Sequence, residues 1–351
     1  MHNLPVIFNF DDVSILKALN SANSKLGELN GLIKAMPNPR IILNAVILCE
    51  AKESSEIENI VTTFDEIFRE LVLKEDNYAG KEILNYRQAV LYGEEQVKKN
   101  GFINTNLIVD IHHIIEPNVG GIRKIPGTVI MNTKTKEIIH NPPQNEAEIR
   151  KYLSNLEKYI NYPELEETDP LIKMAVIHFQ FESIHPFHDG NGRTGRIINV
   201  LYLLLVNKLD MPILYLSKYI NENRSEYYQT LNAVQKDITN LKEYLLFMIK
   251  GVELMSEFTI NFINSFILKM NEADEYIRKR CPAIYSKQLV NYLFYDFYTR
   301  NEYLCQNLHV TRNTAGKYLN QLADEGILVA EKVGKNKIYK NTYLYDLMKN
   351  W

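Results

Sequence analysis

Apolar residues recur at helical spacing along most of the chain. Residues 11–33 carry them at steps of three and four until Pro37 and Pro39 interrupt the pattern. Residues 41–49 are apolar and run into a polar segment, AKESSEIEN. Helical periodicity resumes over 57–73, 83–97 and 103–115, with Gly101 separating the last two. The texture then changes. Residues 117–121 read as a loop, and 127–131 and 137–140 as short β-like runs around a turn at 132–136, a hairpin closed by Pro142 and Pro143. Helices are predicted again over 146–160, 170–182, 192–209, 224–234 and 241–253. The amphipathic stretch 256–280 reads as a connecting helix, and Pro282 opens a last unit. No repeat or low-complexity segment interrupts this order. The expected fold class is mainly α, in four parts: an N-terminal helical region over 1–115, a core over 116–255, the connecting helix 256–280 and a terminal domain over 281–351.

Composition narrows this only a little. A chain of 351 residues exceeds one ordinary domain. Its 46% apolar and 24% charged residues suit a soluble globular protein with a sizeable core. A net charge of -3 gives no global basic field, so a nucleic-acid partner would need a local patch. Cys49, Cys281 and Cys305 are widely spaced and read as buried, reduced thiols. Residues 1–12 lack a basic n-region and a long apolar run, so no secretory signal is expected. The greasiest stretch, 197–206, is interrupted by Asn199 and too short to span a bilayer. The expectation is a cytoplasmic protein with no membrane partner.

The chemistry concentrates at 185–196, which reads HPFHDGNGRTGR between two apolar helices, MAVIHFQF and IINVLYLLL. Gly190 and Gly192 leave room for a ligand close to the backbone. The second helix starts there, so its free N–H groups and positive dipole end form an anion site. Arg193 and Arg196 share a helix face and suit a clamp on phosphate oxygens. Asp189 is a lone carboxylate beside the expected phosphates, which suits Mg²⁺. His185 stands where the loop begins, and a neutral imidazole there would take a proton from an incoming nucleophile.

This segment resembles the signature of the Fic family, HPFx(D/E)GNGRxxR, with every fixed position filled. The resemblance implies a Fic-type helical core with a β-hairpin flap that binds ATP and Mg²⁺ and transfers AMP to a protein hydroxyl. On that pattern His185 is the general base and Asp189 the metal ligand. Gly190, Asn191 and Gly192 form the anion hole, Arg193 and Arg196 the phosphate clamps, and Phe187 a buried anchor for the loop. The segment 54–59, SSEIEN, resembles the family's inhibitory motif, (S/T)xxxE(G/N). The match implies that Ser54 and Glu58 belong to an autoinhibitory helix and that Glu58 reaches Arg196, occupying space a γ-phosphate needs.

Residues 127–140 have the place and length of the family's flap, which aligns an extended target segment by main-chain pairing. The stretch LSKYINENRSEYYQTLNAV resembles the adenosine-side segment, making Tyr227 and Tyr228 candidate walls for ribose or base. The chain departs from many relatives where they carry a Trp: here the segment reads ITNLKEYLLF, and the only Trp is Trp351. His112, His113 and His178 have no partner ligand at a fixed short spacing and read as structural.

The last unit resembles a winged helix-turn-helix. Residues 301–307 and 311–325 are its close helices, and 327–333 and 337–340 flank Gly334 as a wing would. Thr311, Arg312, Asn313, Thr314 and Lys317 open the second helix, and Lys332, Lys335, Lys337 and Lys340 make the wing basic. DNA is therefore a candidate partner, beside the target protein, the chain itself as target, and a second copy in a homodimer. Two alternatives to the AMP transferase stay open: a DNA-binding regulator with a Fic core as sensor, and a hydrolase that removes AMP from modified proteins.

Overall fold

A computed structural model of the chain describes residues 2–73, 77–131, 138–295, 297–333 and 336–349. The turn expected at 132–136, Glu137, Gly334, Lys335 and Trp351 lie outside them. The described residues are mainly helical, as expected. The chain begins α1 (Val13–Lys34), α2 (Arg40–Ile57), α3 (Phe64–Leu73), α4 (Tyr78–Asn100) and α5 (Thr105–Ile115). Two short strands, β1 (Ile130–Met131) and β2 (Ile138–His140), pair antiparallel at the expected hairpin. Then follow α6 (Glu146–Asn161), α7 (Pro170–Ile184), α8 (Asn191–Leu205), α9 (Leu216–Glu222), α10 (Arg224–Lys236) and α11 (Leu241–Arg280). The C-terminal part comprises α12 (Lys287–Leu293), β3 (Tyr298–Thr299), α13 (Asn301–Leu308), α14 (Arg312–Asp324), β4 (Leu328–Val333), β5 (Asn336–Asn341) and α15 (Thr342–Lys349).

Two compact units emerge, each discontinuous in sequence. The first comprises Met1–Ala35, Ile47–Val61 and Glu82–Glu257; the second comprises Met36–Val46, Thr62–Lys81 and Phe258–Trp351. The first is built around α7, whose residues from Leu171 to Ile184 are all buried, and α8, which packs against it. A helix buried on every side belongs inside a bundle, and α5 and α6 complete its wrapping. In the second unit, β3, β5 and β4 form a sheet in that order, with α13 packed on α14 and α14 on β4. Helix, strand, two close helices and a β-ribbon in this sequence fit the winged helix expected there. Leu289, Leu304, Leu319, Leu322 and Ile338 form its core.

The structure corrects two helix boundaries. The helix read over 57–73 is broken, because α2 ends in a Schellman motif. Asn59 adopts a left-handed φ of 64°, and Ile60 N–H donates to Ser55 O while Asn59 N–H donates to Glu56 O. Helix α3 then starts with a capping box: the Glu66 carboxylate accepts from Thr63 N–H, and Glu66 N–H donates to the Thr63 hydroxyl. Conversely, 241–253 and 256–280 are one continuous helix, α11. Its Gly251 is there for packing, since a Cβ would come within 2.6 Å of the Tyr219 ring. Among the described residues no helix is long and apolar enough to cross a membrane. All three cysteines are free; Cys49 and Cys281 are buried, but Cys305 is partly exposed, contrary to the expectation of burial.

Candidate active site

The site forms where α7 hands over to α8. Helix α7 ends at His185, which adopts a left-handed conformation with φ 48°. Such a backbone in a non-glycine residue needs support, and Arg123 supplies it. This buried side chain donates from Nε to His185 O at 2.7 Å and also to Pro143 O, and its own N–H donates to Pro186 O at 2.9 Å. Sequence reasoning missed Arg123, which lies in a loop with no spacing signal. Burial first, and then the charge of Arg123, push the His185 imidazole down to about 4. It is therefore neutral near pH 7 and ready to accept a proton. Its Nδ1 is buried without a hydrogen-bond partner.

The loop closes on itself. Asn191 accepts from Phe187 N–H and donates to Phe187 O, both at 2.9 Å. The Asn191 side chain is thus a brace, and its backbone N–H is what remains for an anion. Phe187 is buried, as expected of an anchor, and stacks on His112 with centroids 3.7 Å apart. His112 Nε2 lies 2.9 Å from Asp189 O, so that histidine is structural, as expected, and supports the loop. His178 is structural too, bonded to the Tyr227 hydroxyl at 2.8 Å.

Gly190 takes φ 77° and offers no side chain to cap α8. The first bond into the helix is from Thr194 N–H to Gly190 O at 3.0 Å. The N–H groups of Asn191, Gly192 and Arg193 precede it and point into the loop. An anion already sits at this helix end, for a Cβ on Gly192 would overlap the Glu58 carboxylate. Glu58 Oε1 accepts from Arg196 at 2.9 Å. Arg196 also donates to the Ser54 hydroxyl and the Ser54 carbonyl, each at 2.8 Å. Ser54, Glu58 and Arg196, far apart in sequence, are thus brought together. The Schellman turn at Asn59 swings Glu58 off the helix axis, which explains why the motif ends in a residue tolerant of positive φ.

Arg193 lies elsewhere. Its guanidinium is buried between Glu82 of α4 and Glu116, and 3.6 Å from Asp189. Burial alone would lower its pKa, and the two glutamates outweigh that and raise it. Glu82 and Glu116 were not legible in the sequence. Asp189 accepts from Gly190 N–H at 2.6 Å, and its side chain is 68% exposed. No group of three or more His, Cys, Asp or Glu able to hold a metal occurs among the described residues. A lone exposed carboxylate fits only an ion that completes its shell with phosphate oxygens and water, as Mg²⁺ does.

A cavity of about 200 Å³ opens here, walled by Glu58, Glu182, His185, Gly192 and Arg196, and on the α10 side by Tyr227, Tyr228 and Leu231. Tyr227 is buried with its hydroxyl spent on His178, so it acts chiefly as core; Tyr228 is 42% exposed and presents more of its ring. Glu182, also missed from the sequence, is buried with Oε1 unpartnered, and burial pushes its carboxyl up to about 7. A larger cleft of about 620 Å³ lies at the other end of α7 and α8, lined by Pro163, Lys173 and Tyr202, and holds none of the loop residues.

Comparison with known proteins shows which family the chain resembles. A Fic/DOC family N-terminal model matches residues 16–95, a Fic/DOC family model 102–203, and the model "Protein adenylyltransferase SoFic-like, C-terminal domain" 269–344. "Protein adenylyltransferase Fic" of Culex quinquefasciatus is 28% identical over 156 residues, 44% of this chain and 29% of that protein. "Protein adenylyltransferase fic-1" of Caenorhabditis elegans is 26% identical over 153 residues, 40% of this chain and 28% of that one. The chain thus matches under a third of these relatives' length. A solved Fic family protein from Desulfovibrio desulfuricans G20 superposes with TM-score 0.59 and 15% identity over 97% of this chain and 98% of its own. Fic-1 (residues 134–508) from C. elegans does so with TM-score 0.56 and 20% identity over 70% and 71%. With three consecutive family models and a complete loop, the chain belongs to the Fic family.

Proposed function

We propose that this protein is an adenylyltransferase that moves AMP from ATP to a Ser, Thr or Tyr hydroxyl of a target protein or of itself, and that Glu58 holds it inactive. The observation that carries the proposal is the neutral imidazole of His185 across the loop from the uncapped start of α8. The three free N–H groups bind the phosphate tail, with Arg196 beside them. His185 takes the proton of the target hydroxyl, whose oxygen attacks the α-phosphorus in line while pyrophosphate leaves from the opposite side. Fixed donors in a buried site supply charge stabilisation without reorganisation. Asp189 would hold Mg²⁺, which would neutralise charge on the phosphates. The β1–β2 hairpin, with Ile130 at the cavity, would align the target strand.

Support for inhibition comes from size and charge. Pockets for small molecules usually run from ~300 to ~1,000 Å³, and with Glu58 in place this cavity is about 200 Å³. Glu58 also neutralises the guanidinium that a γ-phosphate would need. The test is incorporation from ATP labelled on the α- or the γ-phosphate, by the wild type and Glu58→Gly. AMP transfer fixes only the α-label, and Glu58→Gly should raise it about tenfold or more, the shift expected when one charge-assisted contact is lost. A γ-label on protein would replace AMP transfer with phosphate transfer, and an unchanged rate in folded Glu58→Gly would remove the inhibitory role.

A further inference from the structure

The half of α2 that carries Ser54 and Glu58 is held on a second side, away from Arg196. Glu50 and Glu53 share one face of the helix, and the main chain follows the same face at Glu56, whose carboxylate turns to Lys52. Each meets a residue of α9 or the head of α10. Glu50 accepts from Ser217 N–H at 2.9 Å and from the Ser217 hydroxyl, with the Tyr86 hydroxyl at 3.3 Å. Glu53 accepts from the Asn221 amide. The Glu56 carbonyl accepts from Arg224, whose Nε also donates to Asn221 Oδ1 at 2.6 Å. The pairs 50–217, 53–221 and 56–224 advance together, so the two segments run parallel and are joined rung by rung.

This ladder differs from the Arg196 contacts in one decisive respect. A phosphate competes directly for Arg196, but it does not touch the ladder. When a nucleotide arrives, the ladder is what still holds Glu58 above Gly192. Its last rung lies on Glu56 and Arg224. Glu56 sits two residues before Glu58, in the turn where Ile60 and Asn59 donate back to Ser55 and Glu56. Arg224 is the first residue of α10, the helix whose Tyr227, Tyr228 and Leu231 wall the cavity. Both rung residues are partly exposed, whereas the Glu50 rung is buried.

We propose that Asn221 and Arg224 are positioning residues for Glu58: they fasten the inhibitory turn to the nucleoside wall, and inhibition is released only when these two rungs open. The proposal rests on the inhibitory role of Glu58, and its test separates the two. Initial rates of AMP incorporation from α-labelled ATP are measured for the full chain as wild type, Glu58→Gly, Arg224→Ala, Arg224→Lys, Asn221→Ala and Glu58→Gly/Arg224→Ala, with thermal unfolding as a check on folding. Arg224→Ala and Asn221→Ala should each raise the rate by about tenfold, the change in a two-state equilibrium for one lost charge-assisted hydrogen bond. Arg224→Lys should fall between, since an ammonium does not span both acceptors as a guanidinium does. In the Glu58→Gly background, Arg224→Ala should add nothing, because the residue it positions is gone. That non-additivity is the signature a merely structural role would not produce. If Glu58→Gly activates while folded Arg224→Ala and Asn221→Ala stay at the wild-type rate, the ladder is overturned and inhibition by Glu58 stands. If Arg224→Ala changes the rate equally in both backgrounds, it acts on catalysis and the positioning role is overturned. If Glu58→Gly itself changes nothing, the inhibitory role and the ladder fall together.

Discussion

The molecule contains two helix–turn–helix segments of the same outline, α7–α8 in one unit and α13–α14 in the other. In each, the first helix ends on a histidine in the left-handed region, His185 at φ 48° and His309 at φ 54°. In each, an arginine of the second helix meets a glutamate at 2.9 Å: Arg196 with Glu58, and Arg312 with Glu302. The difference is burial. The Arg196 side chain is 2% exposed and that of Arg312 75%. His185 is only partly exposed, with Arg123 against its backbone carbonyl, and its imidazole is driven down to about 4, whereas His309 stands in solvent. The same backbone and ion-pair length therefore give a buried, internally satisfied turn in one place and a solvated turn in the other. Water screens the second pair and hydrates the second histidine, while the first set must satisfy its polar groups within the protein.

The strongest way to break this comparison is to delete each histidine. His185→Ala should lower AMP transfer by ~10²–10⁴-fold, the usual worth of a positioned general base, while ATP still binds. His309→Ala should leave the rate unchanged. The pH profile sharpens the contrast. A base must be unprotonated, so activity falls as pH drops through its pKa. With His185 at about 4, the acid limb of kcat/KM should lie far below 6.5, where an ordinary histidine titrates. An acid limb centred near 6.5 would mean that burial and Arg123 do not depress the imidazole, whereas wild-type transfer by His185→Ala would sink the role of His185.

The sequence made the loop legible and left its supports hidden, for a physical reason. His185, Asp189, Gly190, Asn191, Gly192 and Arg196 lie in the loop and the first turns of α8, so their spacing alone implies an anion site. Arg123, Glu82 and Glu116 act by being buried beside that turn from distant segments, and no local pattern records such a meeting. Glu182 was closer to legible: it is the only carboxylate of α7, whose residues from Leu171 to Ile184 are all buried, so a solvated role is excluded. Asn191 matched its motif position, but only coordinates separate its bracing side chain from its free N–H. The fold follows the same division. Helix periods placed α7, α8 and α14, while the break between α2 and α3 turned on the capping box at Thr63 and Glu66, whose signal was present at short range and overridden by periodicity.

The buried side of the comparison also carries a titrating carboxyl, Glu182 of α7. Glu182 is raised from 4.5 to about 7 by burial. A carboxyl whose pKa rises on folding binds its proton more tightly in the native state, so its contribution is fully present below 4.5 and is lost as pH rises towards 7. The loss is about 3 kcal/mol at the usual conversion. Glu182→Gln removes the ionisation, so its stability relative to wild type should increase by that order between pH 4.5 and 7.5, read by urea unfolding at both pH values. A parallel pH dependence in wild type and Glu182→Gln would mean that the Glu182 carboxylate is better solvated than its burial implies.

The smallest effect belongs to the exposed pair. Arg312 opens α14, where a reader of DNA would place its contacts, yet it is turned to Glu302. The wing behaves alike: Lys337 donates to Asn320 at 2.6 Å, and Lys340 lies 3.7 Å from Asp65 and 3.6 Å from Glu331. Much of the positive charge that made this unit look basic in sequence is met by neighbouring acceptors. An exposed arginine–glutamate pair is worth ~0.2–1 kcal/mol because two long side chains lose freedom for little net attraction. Arg312→Ala should therefore destabilise by no more than that, measured by urea unfolding, and the small difference should shrink further at high salt. A loss of several kcal/mol would show that equal ion-pair length does carry equal energy here, and the contrast between the two turns would have to be rebuilt on something other than burial.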